Sequence, residues 1–219
     1  MPTQDLIYLD TTLKMPGMAL PVRSAVIQLR NARVLFGPGS KQTAEQYQAA
    51  GAITDIVAPS VLHTAGMAKA AAQYPNARLW GPAGATKKLP QLKWHGTFES
   101  WPYADELAII PLAGMAKAQE YLALHRASRT LFATDLVFNL DQASGFAAKI
   151  ILSMFGTYRR FAVSRLFMMY VTDKNAFKKS VEKIPALDFD RVVPSHGAIV
   201  ETDGKARMIA ALKERKLIT

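Results

Sequence analysis

The feature that most constrains this chain is a pair of short apolar runs, each closed by a side chain able to bind a cation. Arg129–Asp135 reads Arg-Thr-Leu-Phe-Ala-Thr-Asp, and Arg191–Gly197 reads Arg-Val-Val-Pro-Ser-His-Gly. Their β-branched and apolar stretches predict strands. A carboxylate or an imidazole directly after a strand stands at its C-terminal end, where open α/β sheets gather their sites. The chain must therefore fold so that Asp135 and His196, about sixty residues apart, leave strands at an edge.

The remaining sequence alternates in the same way. Arg23–Arg30 and Ala32–Phe36 flank Asn31 with hairpin spacing. Gly37-Pro-Gly-Ser40 breaks the chain before a helix predicted over Lys41–Ala50, with Ser40 or Thr43 as N-cap and Gly51 as its stop. Strands are expected at Ile53–Val57, Arg78–Trp80, Leu107–Pro111, Glu120–His125 and Thr130–Ala133. Helices are expected at Thr64–Tyr74, across a helix-rich stretch at 143–184, and at Asp203–Lys216. Residues 83–104 read as a mixed segment. The order is strands, then alternating strand and helix, then strands, then helices. It predicts a mixed sheet or two sheets covered by helices.

With 219 residues, half of them hydrophobic, one domain over 1–219 is the simplest organisation. The absence of cysteine excludes disulfides, thiolate nucleophiles and Cys-ligated metal. A net charge of +10 favours anionic substrates, acidic partners or a membrane surface. No nucleic-acid-binding module accompanies it, so no specific nucleic acid is expected. The opening Met-Pro-Thr-Gln-Asp-Leu-Ile lacks a basic then apolar leader, which reads as a cytoplasmic protein. Phe146–Val171 is apolar but interrupted by Lys149, Arg159, Arg160 and Arg165. It falls short of the roughly 20 apolar residues of a membrane span and reads as a buried or interface-lying amphipathic helix pair. Its aromatic residues make a homodimer a further expectation.

The order of these elements resembles the metallo-β-lactamase superfamily, and within it the DUF4336 group. The resemblance spans roughly residues 22–215. It rests on Ile56-Val-Ala-Pro59 followed by His63, on Ser128–Asp135 with Leu136-Val-Phe-Asn139, and on Asp188–Gly197. It implies an α/β fold, a four-layer αββα sandwich with a metal site at one edge of the two sheets and a helical insertion near 143–184. The family's first motif is His-x-His-x-Asp-His. Placing its last His on His63 puts Leu62 at the Asp, and Ser60 and Ala58 at the earlier His positions. The next family ligand falls in Pro111-Leu-Ala-Gly-Met115, which has no imidazole. The bridging carboxylate matches Asp135 and the final His matches His196. The resemblance thus implies at most a mononuclear site on His63, Asp135 and His196.

Three protein ligands plus water suffice for a catalytic zinc site, and two imidazoles with one carboxylate also suit iron or manganese. The expected activity is metal-dependent hydrolysis of a small anionic ester-like substrate, with Asp135 as the catalytic group. The alternative is an inactive member of the fold that binds a ligand or partner, with no metal at all. Ser60, Asn139, Arg159 and Arg160 are candidate substrate contacts. Each residue also has a plainer reading: His63 as the start of the following helix, Asp135 as a turn cap, His196 as a turn histidine, and Ser60 and Asn139 as common capping residues. Glu120 and His125 sit five apart in one strand and point to opposite faces, so both cannot reach one site.

Overall fold

The computed structural model describes residues 5–15, 18–141 and 146–219. It has four layers, helices outside and two sheets between. The first sheet has six strands in sequence order: β1 (Leu6–Met15), β2 (Met18–Gln28), β3 (Arg33–Phe36), β4 (Asp55–Val57), β5 (Arg78–Trp80) and β6 (Trp94–Gly96). β1, β2 and β3 are antiparallel neighbours; from β3 to β6 the strands run parallel. The second sheet is built from β7 (Leu107–Pro111), β8 (Tyr121–His125), β9 (Thr130–Thr134) and β12 (Arg191–Pro194), in the order β12-β9-β8-β7. A two-residue pair, β10 (Phe138–Asn139) and β11 (Phe161–Ala162), lies after β9 in the chain.

The sequence periods explain the layers. In β9 all five residues are buried, as expected of a strand covered on both faces. Phe132 of β9 packs toward the first sheet, against Phe36 of β3 at 5.6 Å between ring centroids. Around that contact Ile27, Val34, Val57, Trp80 and Val193 form the inner core between the sheets. On the outer face of the first sheet lie α1 (Ala44–Ala50), α2 (Met67–Gln73) and α3 (Ala83–Lys88). α5 (Arg165–Met168), α6 (Lys174–Val181) and α7 (Gly204–Glu214) bury Phe167, Phe177 and Met208 against the second. α4 (Phe146–Met154) lies beside β2.

Several boundaries follow from local chemistry. α1 opens three residues later than the sequence suggests, because Thr43 and Gln46 form a capping box there. α2 begins only at Met67, after a turn in which a side chain on Gly66 would meet the Pro38 carbonyl at 2.1 Å. β1 is not expected from the sequence pattern, because its polar outer positions conceal a ten-residue strand paired along its full length with β2. The expected helical insertion is broken into α4, α5 and α6 with β11 between them; its residues 143–145, like residues 1–4 of the leader reading, lie outside the described residues. Among the described residues no helix is long and apolar enough to cross a membrane.

Candidate metal centre

β9 and β12 are parallel neighbours, so their C-terminal ends emerge side by side. Thr134 ends β9 in the left-handed region, at φ 46°, and the pairing shifts register between Val193 and Pro194. These two irregularities turn Asp135 and His196 out of the ladder onto the same edge. His63 arrives from the other sheet, on the loop after β4. The Ser60 hydroxyl holds that loop by accepting the backbone N–H groups of Leu62 and His63, both at 3.2 Å.

The three side chains meet. Asp135 Oδ1 lies 3.0 Å from His63 Nε2 and 3.0 Å from His196 Nε2. One ligand atom from each residue lies within 4.8 Å of the other two. Ligands bound tetrahedrally at zinc distances stand roughly 3.4 Å apart, so the triangle has the size a small divalent cation spans. Yet Asp135 Oδ1 is buried and accepts no well-directed hydrogen bond.

The surroundings of His196 sharpen that point. Its Nδ1 is 2.7 Å from the Pro21 carbonyl, which can only accept, so Nδ1 carries a proton. Neutral His196 then presents a lone pair at Nε2 toward the Asp135 carboxylate. Two lone-pair atoms 3.0 Å apart require positive charge at the site, either a cation or imidazolium. This is how an outer carbonyl fixes the tautomer of a metal-binding histidine. Phe138 stacks on the ring at 5.0 Å between centroids. Arg23, paired with Asp10, donates to the Gly197 carbonyl at 2.6 Å.

Electrostatics agree with a strong demand for cation. Burial opposes ionisation of Asp135, but the imidazoles of His63 and His196 hold its carboxyl well below the usual range. Burial also opposes the imidazolium of His63, yet Asp135, aided by Glu120, raises it to about 9. Glu120 is wholly buried. Its Oε1 accepts the backbone N–H of Asp135 at 3.2 Å, and its Oε2 has no hydrogen-bond partner. Burial first, then the charge of Asp135, pushes it up to about 7 against the pull of His63.

A cavity of about 200 Å³ opens over the cluster. Leu13, Leu20, Val22 and Leu62 form much of its wall, and Lys41 is the cation that lines it. The four expected substrate contacts are not among the lining residues. Ser60 is buried and occupied with its own turn. Asn139 donates from its side chain to the Ala198 carbonyl at 2.9 Å and so anchors the His196 loop. Arg159 and Arg160 are exposed on the α4–α5 side, Arg160 paired with Glu214 at 2.6 Å. Arg159 and Arg160 therefore lie outside the cavity wall, while α5 and α6 of the insertion pack on the second sheet. Ala58 and Ser60, which the resemblance sets at the two earlier His positions, are buried and offer no imidazole or carboxylate.

Glu120 was the residue that sequence reasoning set aside. Its separation from His125 is confirmed, since His125 bonds Ser128 instead, at 2.7 Å. The available signal was a carboxylate in an otherwise apolar run, which needs a reason to be buried.

No protein-family model matches the chain, and no curated protein does. Solved structures do. The metallo-β-lactamase FIM-1 of Pseudomonas aeruginosa, in its mono-zinc form, aligns with 100% of this chain and 95% of its own at 16% identity and TM-score 0.68. A metallo-β-lactamase from Pontibacter korlensis covers 97% of each chain at 13% identity and TM-score 0.66. One from Erythrobacter litoralis covers 98% and 95% at 14% identity and TM-score 0.65. At these identities the likeness speaks for architecture, and the chain has the metallo-β-lactamase fold.

Proposed function

We propose that this chain is a metal-dependent hydrolase with a single-metal site on His63, Asp135 and His196, acting on a small anionic ester-like substrate. The observation that carries the reading is the buried Asp135 Oδ1. It stands 3.0 Å from two imidazole nitrogens and accepts no well-directed hydrogen bond, while His196 has committed its proton to Pro21. A pocket built for uncharged packing would not set that oxygen between two imidazole nitrogens without a well-directed donor.

Zinc, iron or manganese would suit the donor set. A divalent ion held there would supply Lewis acidity toward a substrate oxygen and toward water. The chain's own groups do the rest. Pro21 and Phe138 hold His196 in one tautomer and orientation. Ser60 shapes the His63 loop, and Glu120 fixes the backbone of Asp135. The apolar wall of the cavity excludes water around an acyl or similar group, and Lys41 offers a partner to a substrate anion. The landmarks shared with the DUF4336 group support placing the chain near it, as a single domain with the reduced ligand set described above.

A second reading rests on the raised pKa of His63. In it a proton takes the place of the metal, and His63 as imidazolium satisfies Asp135. The fold would then bind a ligand in the cavity without hydrolysing it. Elemental analysis separates the two. About one metal per chain after incubation with zinc or manganese, lost in His63→Ala and His196→Ala, is expected, together with turnover of simple esters. Folded protein that takes up no metal would leave the second reading standing.

A further inference from the structure

Among the described residues, six large apolar side chains are exposed: Met15, Leu62, Ile150, Met154, Leu166 and Met169. Four of them fall within residues 150–169. Ile150 and Met154 are one helical turn apart on α4 and share a face. Leu166 and Met169 are three apart along α5 and its cap. The Arg165 backbone N–H donates to the Phe155 carbonyl at 3.0 Å, and its guanidinium donates to the Met154 carbonyl at 2.9 Å. The start of α5 thus rests on the end of α4, and the two pairs join into one strip. The buried side chains of these helices, Ala148, Leu152 and Phe167, already supply the core contacts. Folding does not account for Met154 at 63% exposure or Met169 at 75%.

The strip is flanked by exposed cations: Lys149, Arg159, Arg160 and Arg165. Glu214 answers Arg160 alone. We infer that this face docks on an anionic lipid surface, with the methionine, leucine and isoleucine side chains entering the acyl boundary and the basic groups meeting phosphates. Apolar side chains ringed by Lys and Arg have the composition that binds such interfaces. Methionine suits it, being flexible enough to fit an irregular apolar medium. A second copy of the chain fits less well, because a two-fold contact would set the same arginines against each other. The net charge of +10 adds to the attraction.

This inference stands whether or not metal binds. Co-sedimentation of the full chain with vesicles of phosphatidylcholine alone, and of phosphatidylcholine mixed with phosphatidylglycerol, tests it. Binding to the mixed vesicles is expected to be roughly tenfold tighter or more and to weaken with salt. Met154→Glu with Met169→Glu is expected to reduce it roughly tenfold while the melting curve stays unchanged. Equal binding to both vesicles, no binding, or binding indifferent to the substitutions would overturn it. So would a concentration-dependent dimer in sedimentation that the same substitutions dissolve, since that would give the strip to a second copy.

Discussion

Two aspartates beside apolar strands, Asp55 and Asp135, differ in what this fold gives them. Asp55 opens β4 and has every need met. Trp80 Nε1 donates to it at 2.7 Å and the Thr54 hydroxyl at 2.7 Å, and Arg78 pairs with it at 3.0 Å. Asp135 follows β9 and faces two imidazoles with one oxygen left without a directed donor. Both are carboxylates beside apolar strands, Asp55 fully buried and Asp135 with 16% of its side chain exposed. What separates a structural acid from a candidate ligand is the unmet electrostatic demand.

That contrast is most sharply broken at Asp55. Asp55→Ala should strand the Trp80 N–H and the Arg78 charge, destabilising the fold by on the order of 3 kcal/mol, as read by chemical denaturation. Asp135→Asn should abolish stoichiometric metal and remove the stability that the His63 pair gives the metal-free fold. Retention of metal by that variant would break the assignment.

Glu120 tests whether the support of Asp135 matters. Removing its acceptor in Glu120→Leu should weaken metal affinity roughly 10- to 100-fold, the usual cost of losing an outer partner. Glu120→Gln keeps an acceptor for the Asp135 N–H and should recover most of that loss. Competition titration against a chelating dye would measure both.

The pH response has a definite sign. The folded pKa of His63 is raised, from 6.5 to about 9. Its pairing with Asp135 therefore contributes stability that is fully present below pH 6.5 and is lost as pH rises through about 9. Metal-free protein should lose denaturation midpoint across that window. Metal-loaded protein should not, because the ion takes the proton's place. Identical curves with and without zinc would mean that no metal reaches His63.

The smallest expected effect lies at Arg23, which ties Asp10 to the Gly197 carbonyl. Arg23→Lys keeps the charge but loses the forked geometry, and a few-fold drop in metal affinity is expected with little change in melting temperature.

The comparison also shows where sequence reading stops. Asp135 and His196 were legible because each closes a strand, and strand ends have a predictable address at the sheet edge. Asp55 looked like any residue inside an apolar run; only the return of β5 beside β4 brings Trp80 and Arg78 to it. His63 was legible by its place after Pro59, but its contact with the other sheet was not. Arg159 and Arg160 lie off the cavity wall, because local amphipathic pattern does not say which way an insertion folds back. Lys41 was overlooked and Glu120 set aside for the same reason, since each reaches the site through neighbours distant in sequence.

The sequence by itself determined the apolar runs, their order, the fold they build and the three residues able to bind a cation. Periodicity and chain order act locally, so they can be read along a line. Only the tertiary structure decided that Oδ1 of Asp135 meets the Nε2 atoms of His63 and His196, that Pro21 holds the proton of His196, and that Arg159 and Arg160 do not line the cavity. Those outcomes depend on register shifts of a single residue and on contacts between two sheets. No local pattern encodes such contacts, because each is set by the packing of the whole.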